Sequence, residues 1–150
     1  METLTAPEGS VTVGWVGEGV LHARFVGELY SSLGAAYATR LERFLGETKQ
    51  VRYFVDAASL RTYDLLARSA IVRVMLANRS RFQNILLLNW DESGRSAATN
   101  PLTALGDLLQ VILDPADFQA RLLKAAPFAT HRLNLRHEPP PTPAPVTRTR

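Results

Sequence analysis

The stretch Val51-Arg52-Tyr53-Phe54-Val55-Asp56-Ala57-Ala58-Ser59-Leu60-Arg61-Thr62-Tyr63-Asp64-Leu65-Leu66-Ala67 decides the fold of this chain. Its first five residues are β-branched and aromatic apart from one arginine, the composition of a buried strand. Asp56 ends that run, and a polar turn over Ala57–Tyr63 is expected to follow. Asp64 stands directly ahead of an apolar-rich segment. A short acidic side chain there can accept the free amides of a first helical turn, and its charge suits the positive end of the helix dipole. The pattern predicts a strand, a polar loop Asp56–Tyr63, and a helix from Leu65 to about Arg79. In open α/β sheets, loops at the C-terminal ends of strands are where ligands and partners meet the fold.

Working outward, residues 1–10 read as a flexible N-terminal arm. Val11–Trp15 and Val20–Val26 alternate as strands do, and Gly17-Glu18-Gly19 separates them as a hairpin turn. The same glycines open no helix, so they form no phosphate loop. Leu33, Tyr37, Leu41, Phe44 and Leu45 recur at helical spacing, predicting a helix over Ser32–Gly46 with Gly46 as its C-cap.

Beyond the central helix, Ile85–Trp90 is a continuous apolar strand of the kind buried on both faces. A polar loop over Asp91–Thr99 follows, and Asn100-Pro101 starts a short helix. Gln110–Leu113 is read as an edge strand. Asp114-Pro115 opens a last helix carrying Phe118, Leu122 and Leu123, closed by Pro127. Five prolines between Pro139 and Pro145 make 129–150 a disordered Pro/Arg-rich tail, either a recognition segment or a solubilising extension. The domain proper is placed at 11–128.

The totals narrow the function classes. A chain of 150 residues, 46% of them hydrophobic, fits one domain with a true core. Residues 121–150 hold six basic side chains against Glu138, a net of +5, so a whole-chain charge of +3 leaves −2 for the rest. The basicity belongs to the tail, and nucleic-acid binding by the body is not expected. Without cysteine there is no disulfide, thiolate nucleophile or zinc–thiolate site. Met1-Glu2-Thr3-Leu4 begins no signal peptide, and Ile85–Leu88 is the longest aliphatic run, far short of a span. A cytoplasmic protein without membrane association is expected.

Gly27-Glu28-Leu29 after the second strand and Asp56…Tyr63-Asp64 after the third, set in the order β-β-α-β-α-β-α-(β)-α, resemble the STAS family, whose founding members are bacterial anti-sigma-factor antagonists. The resemblance covers about residues 11–126. It implies a single α/β domain with a mixed four- to five-stranded sheet and about four helices. In the family Gly-Glu-Leu is followed by an acid, where this chain has Tyr30. Asp56 and Asp64 match two family acids eight residues apart. The family's phosphorylated serine or threonine follows the second acid, and here that position is Leu65. The resemblance therefore implies a protein-binding role in a regulatory or scaffolding assembly and removes the usual phosphoryl switch. Ser59, Thr62 and Ser69 are the hydroxyls nearby, none at the family's position.

Asp56 and Asp64 have the composition of a carboxylate pair, but no histidine lies near them in sequence, and no nucleophile-elbow, zinc-helix or Walker pattern occurs. Capping accounts for Asp64, whereas Asp56 is either a turn former or a partner contact. The chain is read as non-enzymatic, with no cofactor and no metal. Arg61, Arg68, Arg73, Arg79 and Arg81 do not fall on one stripe at ~100° per residue, and Arg68 sits among apolar neighbours. Leu66, Ala70, Val74 and Ala77 make a second apolar row on the central helix, covered either by neighbouring helices or by a partner.

The expected partner surface is therefore Asp56, Ser59, Arg61, Thr62, Tyr63, Asp64, Leu66, Ala70 and Val74. Its occupant is a regulatory kinase, an anti-sigma-like or scaffold protein, or a second copy. The alternative is a small-ligand or lipid-binding domain of the same fold, with Trp15 or Tyr30 beside the cavity.

Overall fold

The computed structural model describes residues 1–88 and 105–129. The expected loop 91–99, the helix start at Asn100-Pro101, the last two residues of the strand Ile85–Trp90 and the tail from residue 130 lie outside the described residues.

Six strands form one mixed sheet in sequential order: β1 Glu2–Ala6, β2 Gly9–Gly17, β3 Val20–Leu29, β4 Val51–Tyr63, β5 Phe82–Leu88 and β6 Leu109–Ile112. β1, β2 and β3 pair antiparallel, and β3 through β6 pair parallel. The crossovers β3–β4 and β4–β5 carry α1 Ser31–Leu45 and α2 Leu65–Ala77, and α3 Pro115–Ala125 follows β6. Adjacent parallel strands need such crossovers, because a tight turn can only reverse the chain.

The two helices of the crossovers share one face of the sheet. Their main core holds Val11, Val13, Leu21, Phe25, Tyr53 and Ile85 from the sheet, Leu33, Tyr37 and Leu41 from α1, and Ala67 and Met75 from α2. Every position of the expected α1 stripe is buried. On the opposite face a smaller cluster joins Val16, Val20, Phe54, Leu86, Leu88 and Ile112 to Phe118 and Leu122 of α3. The period-2 alternation of β4 thus sends Tyr53 to one core and Phe54 to the other.

Three expectations are corrected. Residues 2–6 are an edge strand, not a loose arm. Leu4 and Ala6 pack against the main core, and Glu2 pairs with Arg40 and with Arg43 Nη2, the latter at 2.6 Å. The edge strand brings the sheet to six strands, where four or five were expected, while the described residues hold three α-helices and short 3-10 turns at Arg79–Arg81 and 105–108.

Secondly, the polar segment Asp56–Tyr63 is no loop: β4 continues through it, because β3 runs alongside as far as Leu29. Polar residues are tolerated there because two bulges adjust the pairing. Arg24 pairs with Asp56 but Val26 with Ser59, so β4 fits an extra residue, and the Asp56 carboxylate accepts the Ala58 amide at 3.0 Å. Gly27, at φ 84, lies beside this irregular stretch; a Cβ on it would come within 2.6 Å of the Glu8 carbonyl.

Thirdly, the boundary at 129 falls inside the folded body, because Ala129 is fully buried against the α3 cluster.

Candidate functional site

Where β3 and β4 end side by side, Leu29 pairs with Tyr63, and both helices of the main face begin just beyond. α1 starts after Tyr30, a residue in extended conformation whose side chain makes no cap hydrogen bond. The missing cap comes from α2's own N-cap. Asp64 accepts the Ala67 amide on Oδ1 at 2.7 Å and the Ser31 amide on Oδ2 at 3.0 Å, so a single carboxylate serves both helix starts.

The helices then approach closely at Gly34 and Ala67. A Cβ added to Gly34 would lie 2.5 Å from the Ala67 Cβ, so α1 can rest on α2 only because position 34 carries no side chain.

That docking fixes which side of α2 faces water. Ala67 and Met75 are buried, and Ala70, Ile71, Val72 and Val74 are half-buried. Leu65 and Leu66 stand out at 66% and 71% exposed, with Leu76 lower on the helix at 39%. Tyr30, at 37%, is exposed at the neighbouring start of α1. Arg61 and Thr62 on the last residues of β4, and Ser69 and Arg73 on α2, are exposed as well. Arg61 lies 3.7 Å from Glu28. The α2 entrance is thus an apolar pair of side chains with polar and cationic residues around it.

The nine expected partner residues divide accordingly. Arg61, Thr62 and Leu66 are exposed. Ser59, Tyr63, Asp64, Ala70 and Val74 are half-buried, with Val74 packed against the main core. Asp56 lies apart, at the Arg24 pairing, with its carboxylate 4.0 Å from Arg24 Nε. Burial raises its pKa above the usual carboxylate value, against the lowering effect of the Ala58 amide and Arg24. Seven residues of β4, 57–63, at roughly 3.3 Å each separate it from Asp64, so the two acids form no catalytic pair. Ser59 is half-buried, whereas Thr62 and Ser69 are open to solvent.

Arg68 lies among apolar residues with its guanidinium stacked 5.3 Å over the Tyr63 ring and donating to the Tyr63 hydroxyl at 3.2 Å. Trp15 packs edge-on against Phe44 and donates to Glu47 at 2.7 Å. Among the described residues no group of His, Asp or Glu has the arrangement of a metal site, and no helix is long and apolar enough to cross a membrane.

Sequence reasoning missed the exposure of Leu65, though a signal existed. At ~100° per residue two adjacent leucines cannot both join the face set by Ala67, Ile71 and Met75. It also missed a polar feature in each core. The Tyr37 and Tyr53 hydroxyls are hydrogen-bonded inside the main core. His22, 2% exposed, lies near Phe118 in the other, with Nδ1 lacking a hydrogen-bond partner among the described residues.

The sequence matches no protein-family model and no curated protein. Solved structures do match. An uncharacterised protein of the DUF3478 family from Shewanella loihica PV-4, described as having a SpoIIAA-like fold, superposes with a TM-score of 0.60 at 17% identity. That match covers 79% of this chain and 98% of the other. The murine solute carrier 26 family member A9 anion transporter, in its inward-facing state, matches with a TM-score of 0.52 at 13% identity over 71% of this chain; the match takes up only 18% of the transporter. The fold of this chain is SpoIIAA-like, the fold of STAS domains, as the order of its elements implied.

Proposed function

We propose that this chain is a non-enzymatic, cytoplasmic STAS-type interaction domain that receives a protein partner at the entrance to α2. The observation that carries this reading is the solvent exposure of two consecutive leucines, Leu65 and Leu66, at 66% and 71%. A helix start held by a shared cap is a rigid platform. Leucines left outside the core on such a platform gain by being covered. Burying each contributes about 1.5–3 kcal/mol before the cost of association, and Arg61, Thr62, Ser69 and Arg73 supply a polar rim.

The partner is a regulatory kinase, an anti-sigma-like protein or a scaffold, in a regulatory assembly of the partner-switching type or a scaffolding one. Leu65 occupies the position where STAS antagonists carry their phosphorylated hydroxyl, so contact here is not governed by phosphate at that residue.

The test compares the wild-type chain with Leu66→Asp in tagged capture from the native host followed by mass spectrometry, with light scattering to detect self-association. A partner retained by wild type and lost with Leu66→Asp, at unchanged melting temperature, supports the reading. Equal capture by both proteins would sink it.

A further inference from the structure

The sheet-facing side of α2 holds a second feature, separate from the exposed leucines. Between the helix and the sheet lies a cavity of about 110 Å³, walled by Phe25, Tyr53, Leu60, Ile71, Met75 and Leu87. Its sheet wall spans four parallel neighbours: Phe25 and Leu29 of β3, residues from Tyr53 to Tyr63 along β4, Ile85 and Leu87 of β5, and Leu109 at the start of β6. The polar groups of the lining side chains are those of Tyr63 and Arg68, which hydrogen-bond to each other, and the Tyr53 hydroxyl, which is hydrogen-bonded to Tyr37.

Two observations set this space apart from ordinary packing. Protein interiors are filled to crystal-like density, with few voids larger than a water molecule. A water placed here would lack the two to four polar partners it needs. Ile71 and Val72, on the part of α2 that covers the sheet, border the space as well as packing against the main core, and both are only half-buried.

We propose that this cavity is a binding site for a small, uncharged, largely apolar molecule, of the size of one aromatic ring or a short alkyl group. The volume compares with the ~150 Å³ dry cavities that take up benzene. The lining offers dispersion contacts on several sides and no counter-ion for a buried ammonium, so shape and lack of charge select the ligand. The proposal does not depend on the partner surface. The cavity lies behind α2, whereas Leu65 and Leu66 point away from the core.

The probe is toluene, added to the full chain and followed by amide NMR and thermal denaturation. Saturable shifts are expected at Leu60, Ile71, Met75 and Leu87, with a rise in melting temperature. Ala57→Leu, which adds volume from the rigid β4 wall, should abolish these shifts. Benzylammonium, a ring of similar size bearing a charge, should bind about tenfold more weakly or worse. Should Ala57→Leu fail to fold, xenon on the wild-type chain gives the second reading, shifting the same amides and being displaced by toluene. Toluene shifts centred on Leu65 and Leu66, equal binding of benzylammonium, or no response to either toluene or xenon would each overturn the proposal.

Discussion

The Ser31 amide donates to Asp64 Oδ2 at 3.0 Å across 33 positions of sequence, so α1 begins on a cap that belongs to α2. The same carboxylate holds α2 through the Ala67 amide. Two helix starts are thereby tied to a single side chain, and the backbone amide of the same residue donates to the Leu29 carbonyl at the end of β3, 3.1 Å away. Truncating that side chain removes both caps. Asp64→Ala should lower stability by about 1–3 kcal/mol, more than one cap alone, and Asp64→Asn by less because its amide oxygen can still accept one N–H. Urea denaturation of the three proteins checks this; an alanine variant as stable as wild type would contradict it.

Gly34 against Ala67 gives the second prediction. In an isolated helix Gly→Ala is favourable by up to about 1 kcal/mol, yet here the new methyl meets Ala67 at 2.5 Å. Overpacking should win, and Gly34→Ala should destabilise by about 1–3 kcal/mol. Adding Ala67→Gly to that variant should recover part of the loss, a coupling that a double-mutant cycle measures directly.

His22 predicts a pH dependence. Burial, with a contribution from Arg24, lowers its pKa from 6.5 to about 4. The neutral ring is the folded form, and the unfolded chain binds the proton first. The histidine therefore costs nothing above pH 6.5, and stability falls as the pH drops from 6.5 towards 4, by on the order of 3 kcal/mol in all. His22→Leu should remove that slope. Urea midpoints for both proteins across this window test it, and parallel curves would assign the dependence to other groups.

Val74 and Leu66 share one row on the helical wheel but not one environment. Val74 packs against the main core, whereas Leu66 is 71% exposed. Val74→Asp should cost several kcal/mol and unfold much of the population. Leu66→Asp should change stability by about 0.5 kcal/mol or less. Thermal melts separate the two, and similar losses at both positions would place Leu66 inside the fold.

The sequence by itself determined the elements whose signals are local. The α1 stripe from Leu33 to Leu45 follows from a period of 3.6, and the hairpin from alternation around Glu18-Gly19. Asp64, just ahead of an apolar segment, and Asp114, followed by a proline, marked helix starts at which the carboxylates accept the amides of Ala67 and Ala116. The order of these elements, with Gly27-Glu28-Leu29 and the Asp56–Asp64 spacing, carried the resemblance to STAS domains and so the fold.

Tertiary structure decided what depends on a neighbour. Ala57–Tyr63 looks like a turn from its composition, yet becomes strand because β3 offers a free ladder beside it as far as Leu29. Residues 2–6 are too short to pair alone and are held by β2 and by Glu2 against Arg40 and Arg43. Helical periodicity placed Leu66, Ala70 and Val74 on a shared row. The close approach of Gly34 to Ala67 decided how α2 is turned, leaving Leu66 in water and Val74 half-buried against the core. A cavity is likewise a property of surfaces brought together, so nothing in the spacing of Leu60, Ile71 and Leu87 could have announced the space between them.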